Sequence, residues 1–192
     1  MKSSIFNAVG DFFAIDIGTS AIRIVQLKGN SANKALFKFG AVAVDVKTAL
    51  SDAAADQAKI AELVSGLVAE VGVSTNNVSV GLASNKTFVT VVDVPRMSPQ
   101  EFGSTIKYQV EQFIPMAIDD VKVDWAILGD SPKDPTKMEV LLASVSKKYS
   151  EGRLDMLESI GLNVVSFEPD SLALARSLTP AGDNNARLIV DM

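Results

Sequence analysis

The chain has 192 residues, of which 47% are hydrophobic, and a formal net charge of -5. This length and apolar content suffice for one large core or two small ones and exclude a disordered chain. The acidic balance argues against a nucleic-acid partner, and the lack of Cys and His excludes disulfide frameworks, thiolate catalysis, Cys-ligated zinc and serine-protease-type triads.

The first predicted elements form a hairpin over residues 12–28, with the sequence FFAIDIGTSAIRIVQLK. Gly18 and the two small hydroxyl residues after it would let backbone N–H groups approach an anion without a side chain in the way. Asp16, at the end of the first strand, would then face a metal ion or its water shell. The same residues also fit a structural β-hairpin, in which Gly18 supplies a positive backbone angle and Asp16 caps the turn.

Three further elements complete the first predicted unit. A third strand of alternating apolar residues is predicted at about 35–46, after a turn-rich cluster. Apolar residues at helical spacing predict a helix over 57–71, ended by Gly72, and a β-rich run predicts a strand over 77–82 parallel to the first. The predicted order is β-β-β-α-β.

A second unit is predicted to begin at about residue 86. Its helix starts at Ser98-Pro99-Gln100-Glu101, which has the spacing of a capping box with Pro at the first helical position. Its other elements are predicted strands at 87–94, 121–128, 137–146 and 163–167 and a helix at 149–160. The result is a β-α-β-β-α-β insert over 86–168, in which Trp125 is most simply a core residue.

A short helix over 171–178 and a last strand over 186–191 are predicted to follow the insert. Glu168 and Asp170, on either side of Pro169, would orient an attacking water, or Asp170 would cap the helix. Ile189-Val190-Asp191-Met192 repeats the apolar-to-acid pattern of Ala14-Ile15-Asp16-Ile17. This repeat predicts that the chain is the first lobe of a two-lobed protein.

The hairpin, the insert and the repeat together resemble the actin-like ATPase superfamily, and within it the PilM family of type IV pilus assembly proteins. IDIGTSAIRIVQLK is similar to the first phosphate motif of that family. IKYQVEQFIPMAIDDVKVDW resembles the segment that opens its inserted subdomain, and EVLLASVSKKYSEGRLDMLESIGL with SFEPDSLALARSL resembles the end of that subdomain.

The resemblance implies an α/β fold, an actin-like (ribonuclease H-like) lobe with an inserted small α+β subdomain. Residues 1–85 and 169–192 would form subdomain 1A, incomplete at its C-terminus, and residues 86–168 would form a subdomain of the 1C type found in FtsA and PilM.

The resemblance also implies nucleotide-binding residues, which are Asp16, Gly18, Thr19, Ser20, Arg23 and Asp191. Asp16 matches the acid near the nucleotide's Mg²⁺, which it would contact through water. The turn 18–20 matches the loop around the β- and γ-phosphates, Arg23 matches a phosphate-contacting cation, and Asp191 matches the acid that opens the second phosphate motif. Arg23 also fits a surface side chain lying over Val25 and Leu27.

Because the adenosine pocket and the other lobe are not in this sequence, ATP and Mg²⁺ binding is expected only of a full-length form. That form is expected to have slow or no ATPase activity. No catalytic residue and no partner-binding residue is assigned.

The functional expectation is a cytoplasmic scaffold of the pilus assembly platform. The resemblance implies that it binds the N-terminal cytoplasmic tail of a PilN-like membrane protein, in a groove between the first lobe and the insert, and so reaches the inner membrane through its partner. Other pilus assembly components and self-association are further expected partners. The alternatives are a sugar- or acetate-kinase-like enzyme fragment and an FtsA-like cell-division filament protein.

Overall fold

The structure is a computed structural model that describes residues 10–29, 33–180, 182 and 185–190. This part of the chain forms two compact units. The first unit combines the residues up to Ala83 with those from Gly152 onward, and the second is Ser84–Glu151. The elements in chain order are β1 (Phe13–Ile17), β2 (Ala21–Gly29), β3 (Lys34–Ala43), α1 (Val46–Leu50), α2 (Ala54–Val71), β4 (Asn77–Leu82), β5 (Thr87–Pro95), α3 (Pro99–Val110), β6 (Val121–Asp130), β7 (Lys137–Ser146), α4 (Lys147–Ser159), β8 (Asn163–Pro169) and α5 (Asp170–Leu178).

The first unit is built on a five-stranded sheet in the order β3-β2-β1-β4-β8. β1 and β2 pair antiparallel, as do β2 and β3, whereas β4 runs parallel to both β1 and β8. The strands and helix of the predicted order β-β-β-α-β are observed, with one additional short helix, α1, between β3 and α2. The third strand is shorter than predicted, because Asp45 accepts a hydrogen bond from the Thr48 amide and caps the extra helix α1 at the residues expected to end the strand.

Helix α2 covers one face of this sheet. Its residues Ile60, Val64 and Leu67 recur at helical spacing and are fully or almost fully buried, as expected for one apolar face. The helix ends at Gly72, whose φ of 61° is in the left-handed region and whose amide donates to the Val68 carbonyl. The sequence prediction of this helix end is confirmed.

Strand β8 belongs to the first unit and not to the insert. It pairs with β4 from Asn77–Asn163 to Leu82–Pro169, and Ser79 and Ser166 share a hydrogen bond of 2.7 Å. Leu157 of the preceding helix α4 is also buried in the first core. The predicted insert 86–168 is therefore too long at its C-terminal end, because local periodicity identifies a strand but not the strand it pairs with.

The second unit is a three-stranded antiparallel sheet in the order β5-β7-β6, with helix α3 packed on it. The predicted capping box is present: the Ser98 amide donates to Glu101 Oε2 at 2.8 Å, and the Glu101 amide donates to Ser98 Oγ at 3.3 Å. Trp125 packs edge-to-face on the buried ring of Phe102, with centroids 4.8 Å apart. The expectation that Trp125 is a core residue is confirmed.

The last predicted strand is not observed. Residues 186–190 have no regular secondary structure, and their large apolar side chains are exposed, with Leu188 89% accessible. A strand needs a neighbour to satisfy its backbone groups, and no strand of the described residues pairs with this segment. Asp191 itself lies outside the described residues.

None of the helices in the described part of the chain is long and apolar enough to span a bilayer.

Candidate functional site

The turn between β1 and β2 brings together most of the residues that the sequence assigned to phosphate binding. β1 is buried at Phe13 and Ile15 and emerges at Asp16, whose side chain is 44% exposed. The Gly18 amide donates to the Ala21 carbonyl at 3.1 Å, and the Val44 amide donates to the Ser20 carbonyl at 3.0 Å. These two bonds fix the turn to itself and to the end of β3, with Thr19 and Ser20 exposed at its tip.

Gly18 is favoured by close packing and not by backbone angle. Its φ is not positive, so the expectation of a left-handed residue in the structural interpretation of the turn is wrong. A Cβ placed on it would lie 3.1 Å from the Ala21 carbonyl oxygen and 3.3 Å from Arg23 Nη1. Any side chain would press on the backbone and on the cation of the turn, which leaves glycine as the residue that keeps this surface open.

Asp16 and Arg23 form an ion pair across the hairpin. They are directly opposite each other in the β1–β2 register, and Arg23 Nη1 lies 3.2 Å from Asp16 Oδ2. Both side chains are about half exposed, at 44% and 53%, so the pair contributes little to stability. Its consequence is positional, since it holds an anionic and a cationic group side by side at the mouth of the turn.

The carboxyl ends of β1, β4 and β8 meet beside this turn, and they bring in a residue that the sequence did not single out, Gly81 of β4. A Cβ on Gly81 would lie 2.7 Å from Asp170 Oδ1, 3.6 Å from the Ile15 carbonyl oxygen and 3.8 Å from Asp16 Cα. The Asp170 carboxylate thus lies over Gly81, next to the end of β1. In open sheets with parallel strands, ligands bind at this edge.

Asp170 is not the N-cap expected from its position. The N-cap of α5 is Pro169, which makes no side-chain hydrogen bond, and Asp170 is the first residue of the helix. Glu168 forms an ion pair with Arg176 of the same helix. A helix N-terminus favours a carboxylate, but the position of Asp170 over Gly81 depends on the pairing of β4 with β8.

The described residues fit one half of a nucleotide site. An exposed carboxylate, a neighbouring guanidinium and a turn without a side chain at Gly18 match the donor set that binds phosphate and the water shell of Mg²⁺. No group of three or more acidic side chains within the described residues is arranged to hold a metal by itself. Asp16 therefore suits contact through water better than direct ligation by a protein cage.

A separate cleft of about 600 Å³ lies between β3, α1 and α2. It is lined by both apolar and charged side chains, among them Val42, Leu63, Lys59, Glu62 and Glu70, and it includes none of the residues of the β1–β2 turn. The cleft is thus separate from the predicted phosphate site.

Comparison with known proteins agrees with this fold. The family model of "Type IV pilus assembly protein PilM" matches residues 14–187. A solved "PilM-PilN type IV pilus biogenesis complex" contains a chain with 22% identity and a TM-score of 0.77, over 88% of this chain and 50% of that one. The cytoplasmic domain of EpsL, an inner membrane component of the type II secretion system of Vibrio cholerae, has 18% identity and a TM-score of 0.54, over 85% of this chain and 59% of that one.

The chain therefore spans between half and three fifths of the solved chains that it resembles. The predicted fold class, an α/β lobe of the actin-like ATPase type, is confirmed by these matches and by the mixed five-stranded sheet. Since the family model covers nearly the whole sequence, the chain belongs to the PilM family of type IV pilus assembly proteins.

Proposed function

We propose that this chain is a scaffold of the type IV pilus inner-membrane assembly platform, which it joins by binding the N-terminal cytoplasmic tail of a PilN-like protein. The observation that carries the proposal is the family match over residues 14–187. The similarity to a chain solved in a PilM-PilN complex supports the choice of partner. Tethering through that tail would keep the chain at the cytoplasmic side of the inner membrane.

We also propose that the two units correspond to subdomains 1A and 1C. The first unit, residues up to Ala83 and from Gly152 onward, would be subdomain 1A, and Ser84–Glu151 would be subdomain 1C. These bounds replace the predicted 86–168, because β8 pairs within the five-stranded sheet.

Isothermal titration of the chain with a synthetic peptide of the PilN-like tail tests the scaffold. We expect saturable binding of one peptide per chain and none with a scrambled peptide of the same composition. The tail of a type II secretion component is the second control, since a structural similarity to EpsL also exists. Binding of the scrambled peptide, or a lack of binding to the PilN-like tail, would contradict the proposal.

For a polypeptide that carries both lobes, we propose ATP binding at the β1–β2 turn. The Gly18–Ser20 backbone would surround the terminal phosphates, and Asp191 would contribute from the second phosphate motif. Mg²⁺ would supply charge neutralisation of the phosphates. Arg23 would exchange its contact with Asp16 for a phosphate oxygen, which leaves the Asp16 carboxylate to accept hydrogen bonds from the water shell of the cation.

The Asp16–Arg23 ion pair makes this proposal testable in a two-lobed form. Asp16→Ala should abolish the Mg²⁺-dependent part of ATP affinity, whereas Arg23→Gln should weaken binding with and without Mg²⁺, because it removes a phosphate contact. Both changes affect a half-exposed pair, so unchanged thermal unfolding is the control for folding. Unchanged affinity in the Asp16→Ala variant, measured by calorimetry, would refute the role of this residue.

A further inference from the structure

The far end of β2 carries an exposed surface away from the β1–β2 turn. Within the described residues, β1 pairs with β2 from Ile22 to Val25, and beyond that point β2 pairs with the edge strand β3 alone. The two strands continue as a two-stranded ribbon, which we call the outer ribbon. It consists of Leu27, Lys28, Lys34, Leu36, Phe37, Lys38 and Phe39.

Gln26 marks where the outer ribbon leaves the core. Its side chain is 1% exposed, its Nε2 donates to Ser74 Oγ at 2.7 Å, and its Oε1 accepts from the Ser74 amide at 3.2 Å. These two bonds attach the base of the outer ribbon to the loop before β4. Everything beyond Gln26 on β2 is exposed.

One face of the outer ribbon is apolar. Leu27 is paired with Leu36, and next to them Val25 is paired with Phe39. Leu27, Leu36 and Phe39 are 47%, 58% and 71% exposed. Edge strands of soluble proteins usually avoid such side chains, because they invite association.

The other face of the outer ribbon is basic and aromatic. A register shift between Gln26 and Leu27 leaves Phe37 as the extra residue of β3, and this places its ring under a lysine. Lys28 Nζ lies 3.5 Å from the ring centroid, and Lys38 Nζ lies 5.6 Å from it. Within the described residues, neither lysine forms an ion pair.

The charge of this region is opposite to that of the chain. Residues 17–44 contain three Lys and one Arg and no Asp or Glu, in a chain with a net charge of -5. A surface that combines cationic side chains with exposed Leu and Phe is complementary to an anionic interface that has an apolar layer beneath it. Lysine stems extend from such a layer to its headgroups.

We propose that the outer ribbon binds directly to an anionic phospholipid surface. Phe39, Leu36 and Leu27 would enter the headgroup region on one face and Phe37 on the other, and the three lysines would contact headgroup phosphates. A docked peptide would cover one face of the outer ribbon and leave the other exposed. A second copy of this chain would bring the same lysines together, and like charges oppose that pairing.

Co-sedimentation of the chain with protein-free vesicles tests the proposal. We expect binding to vesicles of phosphatidylglycerol and phosphatidylethanolamine, no binding to vesicles of phosphatidylcholine alone, and weaker binding as salt is added. Because the vesicles contain no protein, failure of this test would leave the PilN-like partner untouched.

Two variants locate the contact. Combined Lys28→Gln, Lys34→Gln and Lys38→Gln should lower vesicle affinity on the order of a hundredfold, since each lysine near the surface contributes roughly fivefold. The matched control removes three exposed lysines elsewhere, at Lys47, Lys133 and Lys148, and should retain most of the affinity. Combined Leu36→Ser and Phe39→Ser should lower affinity with no change in salt dependence, and Val91→Ser with Leu128→Ser is its control.

Equal losses of vesicle affinity in the lysine variant and its control would show that binding depends on the total charge of the chain and not on the outer ribbon. This result would overturn the proposal. Absence of vesicle binding by the unmodified chain would overturn it as well. So would a concentration-dependent dimer in sedimentation velocity that disappears in the Leu36→Ser and Phe39→Ser variant, because the outer ribbon would then be a self-association surface. Lysine-dependent binding of an acidic, leucine-containing probe peptide without vesicle binding would assign it to a protein partner.

Discussion

The two ends of β2 differ in the charge environment of their cationic residues, although both belong to one continuous strand. At the start of the strand, Arg23 is directly opposite Asp16 and its charge is matched. At the other end, Lys28 is opposite Ala35 and lies over an aromatic ring, with no acid on either strand. What differs is the neighbouring strand: β1 brings a carboxylate to the first end, whereas only the edge strand β3 reaches the second.

This difference shows that the surface formed by an exposed strand residue depends on which neighbouring strand lies beside it. The outward residues of β2 are a cation near the turn and apolar residues farther along, at Arg23, Val25 and Leu27. Beside a glycine turn, the cation lies where the proposed phosphate site would use it. Beyond the last β1 pair, the apolar residues become an exposed surface.

The largest effect is expected from Gly18→Val, which should impair ATP binding at the turn and leave the far end of β2 unaffected. A branched side chain at 3.1 Å from the Ala21 carbonyl and 3.3 Å from Arg23 must displace the turn, so ATP binding by a two-lobed form should fall below detection. Gly18→Ala should have an intermediate effect, because one methyl needs a shift of only a few tenths of an ångström. Vesicle binding by the outer ribbon should be unchanged in both variants, and a parallel loss would show that the ends are coupled.

Gly40→Ala should destabilise β3, the strand that pairs with both ends of β2. A Cβ at Gly40 would lie 2.4 Å from Val71 Cγ2 and 3.2 Å from Leu67 Cδ1, so the free energy of unfolding should fall by about 3 kcal/mol through overpacking against α2. Urea denaturation measures this change. Gly66→Ala, on the exposed side of α2 with no atom within 4 Å, is the matched control and should stabilise the protein by about 0.5–1 kcal/mol.

Gln26→Ala should loosen the outer ribbon without touching the turn. It removes both hydrogen bonds to Ser74 from a fully buried position, which should cost about 2 kcal/mol of unfolding free energy. Ser74→Ala and the double variant complete a cycle, and their coupling energy reports the side-chain bond. Faster amide hydrogen exchange at residues 34–39, with unchanged exchange at 14–17, would be the expected local result; uniform acceleration would contradict it.

The smallest effect is expected from Ser98→Ala, a reference far from β2 in sequence and in the second unit. Loss of the N-cap of α3 should lower the free energy of unfolding by about 1 kcal/mol and leave both ends of β2 unaffected. Hydrogen bonds from Ser98 hold the pKa of the Glu101 carboxyl below its usual range. The stabilisation from these hydrogen bonds is fully present above the pKa that Glu101 has in the unfolded chain. It is lost as the pH falls through the lower pKa that Glu101 has in the folded chain.

Ser98→Ala keeps the amide bond to Glu101, which is the larger cause of the lowered pKa, and removes the hydroxyl bond. The difference between this variant and the unmodified chain should therefore shrink in acid by the part due to the hydroxyl. Thermal unfolding at neutral and at acid pH measures it. A difference that stays constant between the two would show that the capping box does not depend on the Glu101 charge.

Elements with local causes could be predicted from the amino-acid sequence. Residue alternation predicted β1 and β2, helical spacing and Gly72 predicted α2 and its end, and the Ser98–Glu101 spacing predicted the cap of α3. It also placed Asp16, Gly18 and Arg23 at one turn, because a tight hairpin brings its own two strands together.

Contacts between segments that are distant in the sequence became known from the three-dimensional fold. It assigned β8 to β4 and thereby placed Asp170 over Gly81. It also showed that Ala21 and Arg23 crowd any side chain at Gly18, and it left the far end of β2 without β1 beside it. Strand pairing is nonlocal, and the pattern of one strand carries no information on its partner. The physical reason is that periodicity reports which face is buried, whereas register and sheet order decide what lies beside it.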